Sequence, residues 1–252
     1  MRWLADAAPT TGETARRIVL GERTVDYVLR RAKRRTIGLS VDHRGLRVGA
    51  PVRATLREIE ALLRRHGEWI VDKLDTWQAR RDLPLLRLVD GLRLPFLGRS
   101  LTLHLALGAN RGVWGAHAGE PTLTLCLRAP DAAPRVLEKL LREKARHLFL
   151  ERLAHYGPRL GVAPPPLALS SARTRWGSCS SRGGIRLNWR LIHFPLPVVA
   201  YVVAHELAHL REMNHGPRFW SIVAGLYPDY RAARRQLREL APQCPYWQGE
   251  SA

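Results

Sequence analysis

The spacing of hydrophobic residues changes several times along the first half of the chain. Apolar and polar side chains alternate over residues 16–51 and again over residues 91–127. This period of two is typical of strands that bury one face. Between them, residues 54–80 follow the spacing of an amphipathic helix, with Gly67 as a weak point. The pattern predicts two β regions separated by one long helix or two shorter ones.

The second half of the chain is mainly helical in its pattern, and no internal sequence repeat is visible. The predicted elements are a helix over residues 131–156, strands over 167–173 and 185–189 with a polar turn at 178–184, and a helix from Pro197 through Leu207. The order of elements predicts an α+β fold with a β-rich N-terminal portion and a helical C-terminal portion.

Composition narrows the class of protein. The 252 residues are 46% hydrophobic and 25% charged, which is enough to bury a core. No apolar run approaches the roughly 18 to 20 residues that cross a bilayer, and the N-terminus lacks the apolar segment of a secretory signal. The three cysteines have no CxxC spacing, which argues against a disulfide framework. We therefore expect a cytoplasmic protein with no membrane partner.

The chain is strongly basic, with 41 Lys and Arg against 22 Asp and Glu and a net charge of +19. Such a charge is found in proteins that contact phosphates, so weak electrostatic binding of nucleic acid or nucleotides is one interpretation. Compositional bias is the other, because only four of the basic residues are lysines and the chain is rich in Ala, Gly and Pro. The basic cluster at residues 231–238 is spaced as a solvated helix face.

The last predicted helix contains an HExxH sequence, with His205, Glu206 and His209 as its defining residues. Histidines four residues apart lie on one helix face with Cβ atoms roughly 5 to 6 Å apart, so both rings can reach one zinc ion. Glu206 points about 100° around the axis and can reach a water in the open coordination position. Zinc lowers the pKa of that water toward 7, and a carboxylate can take its proton. The motif therefore indicates metal-assisted hydrolysis.

A third histidine, His215, follows where the helix should end. Gly216 and Pro217 are suited to break this helix and to begin another, which would turn His215 back toward the metal. Three protein ligands with one open position are typical of catalytic zinc rather than structural zinc. We therefore predict one Zn²⁺ per chain, held by His205, His209 and His215.

The residues around this motif closely resemble the YgjP-like metallopeptidase family. The matching segments are TRWGSCSS at 174–181, LNWRL at 187–191, HELAH at 205–209, Asn214 with His215, and Pro217, Phe219 and Trp220, with LPFLG at 94–98 upstream. Two features depart from the pattern: Gly216 stands where serine is expected, and the region before Arg16 has no counterpart. Glu212 occupies the position of a glycine that metzincins require, so the chain is not placed among them.

The resemblance implies relatedness to SprT-like zinc peptidases and a zincin-like α+β fold. It implies a single domain over residues 16–245, with a β-rich part at 16–130 and a zinc-binding catalytic part at 131–245, preceded by an extension at 1–15. It also implies that the three histidines bind zinc and that Glu206 is the general base. The expected function is a zinc-dependent metallopeptidase, with a protein or peptide as its substrate.

Two alternative functions stay open. One is a nucleoside triphosphate pyrophosphatase, an activity linked to YgjP-like proteins that would suit the basic charge. The other is a DNA-associated protease that acts on DNA-bound protein, as the SprT-like relatives suggest. No RRM, helix-turn-helix or CxxC zinc-finger signature supports a dedicated DNA reader.

Several further polar residues are weaker candidates for a role in the site. Packing or structural hydrogen bonding is the simpler interpretation for each of them. They are Tyr201, Tyr227 and Tyr230 for stabilising an oxyanion, Arg175 and Asn188 for binding substrate, Cys179 for approaching the metal, and His193 for supporting a ligand.

Overall fold

The computed structural model describes residues 13–42, 44–82, 85–172, 175–180 and 183–249. The chain forms two compact units, Met1–Pro84 and Leu85–Ala252. The single domain over residues 16–245 that the sequence suggests remains a prediction. Residues 1–12 of the predicted extension lie outside the described residues, and the first strand begins at Glu13.

The first unit combines a four-stranded sheet with two helices. Its strands are β1 (Glu13–Leu20), β2 (Arg23–Ala32), β3 (Gly38–Asp42) and β4 (Gly45–Pro51), in the order β1-β2-β4-β3 with β2 and β4 parallel. Its helices are α1 (Leu56–Arg65) and α2 (Gly67–Asp82). Alternate strand residues and the apolar faces of the helices form one core, which includes Tyr27, Leu46, Val48, Ile59, Leu63 and Ile70.

The predicted helical stretch after this sheet is two helices rather than one. Helix α1 begins with a capping box, in which the Thr55 side chain accepts a hydrogen bond from the Glu58 N–H and the Glu58 side chain accepts from the Thr55 N–H. It ends at His66, and α2 begins at Gly67, the predicted weak point.

The second unit opens with a sheet of the same topology. Its strands are β5 (Arg93–Phe96), β6 (Arg99–Leu107), β7 (Arg111–His117) and β8 (Glu120–Leu127), in the order β5-β6-β8-β7 with β6 and β8 parallel. The two sheets thus repeat one strand arrangement that no sequence repeat reveals. After a 3-10 turn at Pro130–Ala132 comes α3 (Ala133–Tyr156), which starts two residues later than the predicted helix.

A small sheet and three helices complete the second unit. The elements are β9 (Leu167–Ser170), β10 (Gly177–Cys179), β11 (Ile185–Asn188), a 3-10 helix at Trp189–His193, α4 (Leu196–Ala208), α5 (Pro217–Leu226) and α6 (Tyr230–Leu240). The sheet order is β10-β11-β9. The predicted polar turn began too early, at residue 178. Ser178 and Cys179 belong to β10 instead and pair with Arg186 and Ile185.

The α+β prediction is confirmed, with its β-rich N-terminal half and helical C-terminal half. One core in the second unit joins α3 and α4 to the sheets, through fully buried residues such as Leu141, Phe149, Leu187, Val199 and Leu207. None of the helices in the described part of the chain combines the length and apolar character that a membrane crossing requires.

Candidate metal centre

Helix α4 places the two histidines of the HExxH motif on one face. His205 lies in its last turn, and His209 is the residue that ends it, still with helical backbone angles (φ −64°, ψ −20°). The four-residue spacing therefore survives at the helix end, and the two ring centroids lie 5.0 Å apart. Most other residues of α4 are buried, which fixes the helix in the core.

The third histidine reaches the same point through a tight turn. The Ala208 carbonyl accepts hydrogen bonds from the N–H groups of Arg211 and Glu212, both at 3.0 Å, which curls the chain back after α4. Gly216 then caps α5 in an extended conformation, with Pro217 in its first turn, as predicted.

These elements bring the three predicted ligands together. The His215 ring stacks on His205 at 5.0 Å and meets His209 edge-on at 4.8 Å. Ring nitrogens of His205, His209 and His215 all lie within 4.8 Å of one another.

The nitrogen positions suit a metal ion. The Nε2 atoms of His205 and His215 lie 3.1 Å apart. Two nitrogens at about 2.0–2.1 Å from a tetrahedral zinc lie roughly 3.3 Å from each other, so the observed spacing is close to that of a ligand pair. His209 Nδ1 lies 3.1 Å from the Glu212 carbonyl oxygen, to which it can donate while its Nε2 keeps a lone pair. The donor set therefore fits the ion that the family implies.

Two of the histidines, His205 and His215, have lowered pKa values, which favours the neutral form that binds metal. Burial lowers the pKa of His205 to about 3, and electrostatic interactions with His209, His215 and Arg234 contribute to this shift. Burial is likewise the main cause that lowers the pKa of His215, with His209 and Arg234 contributing. Neutral imidazole is the ligating form, so neither ring has to lose a proton near neutral pH.

An aromatic side chain that the sequence analysis named in the family motif, but gave no role in the site, packs against the cluster. The fully buried ring of Phe219 is 4.9 Å from the His205 ring and 4.6 Å from each of the His209 and His215 rings. Its position in the first turn of α5, four residues after His215, was the available signal, since that turn directly follows the third candidate ligand. Phe219 thus supplies an apolar floor to the cluster.

Glu206 directly follows His205 on α4 and is not part of the histidine cluster. Its side chain is only 5% exposed, and burial raises the pKa of its carboxyl group to about 7, with the charge of Arg175 opposing that shift. Within the described ranges, its Oε2 atom has no hydrogen-bond partner. A buried carboxyl group beside the three histidines can take up and release a proton.

Two of the other candidate residues, Tyr201 and Tyr230, lie at the border of the site. Tyr201 is buried one turn before His205, and the two rings lie 5.9 Å apart. Tyr230 stacks on Trp220 at 5.4 Å, and Trp220 lies 6.0 Å from the His215 ring. These residues border the site.

Asn188 and His193 have structural roles instead. The Asn188 amide donates to the carbonyl groups of Ala172 at 2.7 Å and Arg175 at 3.3 Å, which ties down the chain before β10. His193 is buried against Trp189 and Trp247, and its Nδ1 lies 2.7 Å from the Pro95 carbonyl.

Cys179 and Tyr227 differ in their relation to the site. Burial raises the pKa of the Cys179 thiol, and the negative charge of Glu206 contributes to this shift. Tyr227 is partly buried, and burial raises the pKa of its hydroxyl group, with contributions from Tyr156 and Asp229. No contact between Tyr227 and the three histidines appears among the described residues.

Arg234 changes the interpretation of the basic cluster at 231–238. Its guanidinium lies 4.8 Å from the centre of the Trp220 ring, and it is half-buried rather than fully solvated. It is one of the charges that lower the pKa of His205 and of His215. At least this arginine of the predicted solvated face is turned toward the histidines.

Comparisons with known proteins identify a family for this chain. A family model described as YgjP-like, metallopeptidase domain, matches residues 35–240, which include all three histidines and Glu206. No curated protein matched the chain. A solved structure described as the crystal structure of the metallopeptidase zymogen of Pyrococcus abyssi abylysin is 23% identical, with a TM-score of 0.34, and covers 39% of this chain and 98% of that chain. Because the family match spans well over half of its length, this chain belongs to the YgjP-like metallopeptidase family.

Proposed function

We propose that the protein is a zinc-dependent peptidase in which His205, His209 and His215 hold the metal and Glu206 transfers protons. The observation that carries this proposal is the convergence of three ring nitrogens within 4.8 Å, next to a separate buried carboxylate. Membership in a metallopeptidase family supports the same reaction class.

Zinc is the proposed metal because of the donor set. Three imidazoles suit zinc better than they suit magnesium or calcium, which prefer oxygen ligands. Three protein donors leave a fourth position open, as in catalytic zinc sites. Zinc in such a site supplies Lewis-acid chemistry, since it polarises a carbonyl group and acidifies water.

The chain's own residues supply orientation and proton transfer. The Glu212 carbonyl orients the His209 ring, and Phe219 packs against all three histidines. Glu206 does not belong to the histidine cluster, so its carboxylate is free to take a proton from an attacking water and to deliver it to the amine that leaves a cleaved peptide bond.

A nucleotide is the second candidate substrate. The observation that favours it is the positive charge next to the site. The charge of Arg234 helps to lower the pKa of His205 and of His215, and the charge of Arg175 favours a lower pKa for Glu206. Guanidinium groups bind phosphate oxygens well. The same centre could therefore hydrolyse a phosphoanhydride in a nucleoside triphosphate.

We also propose that the protein acts in the cytoplasm. Cys126 and Cys179 are free thiols, which is the usual state of cysteines in a reducing compartment.

A Glu206→Gln variant tests the proposal and separates the two substrates. Fluorescein-labelled casein and a panel of nucleoside triphosphates are offered side by side to the wild type, to this variant and to Glu151→Gln, which changes an exposed carboxylate on α3. We expect zinc content to hold while turnover of casein falls by roughly 10² to 10⁴. Loss of phosphoanhydride cleavage alone would favour the nucleotide alternative, and full activity of Glu206→Gln on every substrate that the wild type cleaves would refute the mechanism.

A further inference from the structure

Strand β10 passes directly against the Glu206 side chain, and the residue at the point of contact is Gly177. A Cβ atom at this position would lie 2.4 Å from Glu206 Oε1 and 2.6 Å from both its Cδ and its Cγ. Real Cβ atoms essentially never approach another heavy atom within 3.0 Å. Any other residue at position 177 would therefore collide with the Glu206 side chain.

The need for glycine here is one of space and not of backbone conformation. Gly177 lies within a strand, and its φ is not positive, unlike that of Gly183 in the turn that follows. An L-amino acid could adopt the same backbone angles without strain. A side chain at position 177 would, however, leave no room for the Glu206 carboxylate.

Neither partner in this contact can easily move away. Gly177 is paired with Leu187, and Cys179 is paired with Ile185, so β10 is anchored to two core residues of β11. The Asn188 N–H also donates to the Trp176 carbonyl at 2.8 Å, next to Gly177. On the other side, Glu206 belongs to the buried helix α4.

The collision would involve more than the flexible tip of the side chain. Because Cγ is among the atoms that a Cβ would meet, the side chain would have to rotate about its first bond rather than swing its carboxylate alone. Glu206 is almost completely buried, so such a rotation would carry the carboxylate into neighbouring atoms or away from the histidines.

Cys179 provides a second sign of where the carboxylate lies. It is two residues beyond Gly177 and therefore on the same face of β10. The charge of Glu206 contributes to the raised pKa of its thiol. The charge of Glu206 thus acts on the face of β10 that Gly177 and Cys179 share.

We propose that Gly177 is a positioning residue for the reaction: by lacking a side chain, it allows β10 to define where the Glu206 carboxylate stands. This inference rests on the proposed role of Glu206 in proton transfer. A misplacement of about 1 Å in such a group can lower a rate by roughly 100-fold. Gly177 would then affect turnover without touching the metal or the substrate.

The first test is kinetic and uses the full-length, zinc-loaded protein. Gly177→Ala is compared with Gly225→Ala, a glycine on α5 where a Cβ would meet nothing within 4 Å. With labelled casein as substrate, we expect kcat of Gly177→Ala to fall by roughly 10- to 100-fold while KM and zinc content stay the same. Gly225→Ala should behave like the wild type. Unchanged kcat in Gly177→Ala, or a change in KM alone, overturns the proposal.

The second test asks whether Gly177 acts through Glu206. In a Glu206→Gln background, Gly177→Ala should cause no further loss of kcat, because the group that it displaces is already inactive. An additional loss of the same size in that background overturns the proposal. If Glu206→Gln alone retains full activity, the proposed function of Glu206 fails, and the role of Gly177 in the reaction fails with it.

A measurement of stability reports the contact independently of activity. Gly177→Ala should lower the midpoint of denaturant unfolding in the wild-type background but not in a Glu206→Ala background, where Cγ, Cδ and Oε1 are absent. If Gly177→Ala does not fold but the double variant does, the contact is equally supported. Equal destabilisation in both backgrounds, or failure of both variants to fold, overturns it.

Discussion

His205 and His215 place their Nε2 atoms 3.1 Å apart, although ten residues and a change of helix separate them. The chain returns because the Ala208 carbonyl accepts two N–H groups after α4 and because Gly216 and Pro217 start α5 in a new direction. The third candidate ligand thus depends on the turn, whereas the pair His205 and His209 depends only on helical spacing.

We predict one tightly bound zinc per chain. Elemental analysis of protein prepared without chelator should give a stoichiometry near one for the wild type. A variant with both His205→Ala and His209→Ala should give a value near zero, because a single remaining imidazole binds the ion weakly. His147→Ala is the matched control, since this histidine is exposed on α3. Zinc content that is unchanged in the double variant would refute the assignment.

The Asn188 amide should be important for stability. It is buried, it donates to Ala172 and Arg175, and its Oδ1 accepts from the Arg190 N–H at 3.0 Å. Asn188→Ala leaves these groups without partners, so we expect a loss of about 1–3 kcal/mol in the free energy of unfolding. Denaturant unfolding measures it. A change within experimental error would show that these hydrogen bonds contribute little.

His193 should make stability depend on pH. Burial lowers the pKa of this histidine to about 4 in the folded protein, against about 6.5 in the unfolded chain. Its folded-state pKa is depressed, so the unfolded chain binds the proton first as the pH falls. The contribution of neutral His193 to the free energy of unfolding is fully present above pH 6.5. It declines between pH 6.5 and pH 4, by about 3 kcal/mol in total.

The comparison that isolates this effect is with His193→Gln, which removes the titrating group. Free energies of unfolding measured from pH 7 to pH 4 should fall more steeply for the wild type than for this variant, by about 1.4 kcal/mol per pH unit below pH 6.5. All other titrating groups are common to both proteins. Parallel pH profiles would mean that His193 does not titrate in this way.

The net charge of +19 predicts how any binding to nucleic acid should respond to salt. Binding to a labelled duplex should be weak and independent of sequence, and should be lost between about 50 mM and 200 mM salt, because it comes from release of counterions. Fluorescence anisotropy at both salt concentrations tests this. Tight binding with little salt dependence would indicate a base-reading element that the charge does not explain.

Long periodic segments were predicted well, and the short strands β9 and β11 were also predicted, but the three-residue strand β10 was not. The helical stretch at 131–156 corresponds to α3, because a run of apolar residues at helical spacing has few alternatives. Strand β10 was missed, since the three residues Gly177, Ser178 and Cys179 carry no alternation that can be recognised. Its backbone forms a strand because β11 offers it hydrogen bonds, and this pairing is a property of the fold.

The charge pattern led to a similar error on α6. Arginines at 231–238 are interleaved with apolar residues, as on a solvated helix. From the spacing alone, every one of these arginines is expected to be exposed to solvent. Only the packing of α6 near Trp220 distinguishes Arg234 from its neighbours.

The sequence by itself determined the α+β class, the helix that carries His205, Glu206 and His209, and the break that precedes Pro217, because helical spacing and capping act over a few residues. Only the tertiary structure decided that two sheets share one topology, that Phe219 supports all three histidines, and that Gly177 lies against Glu206. These relationships join residues of different elements. Their distances depend on how whole elements pack, which no local pattern along the chain specifies.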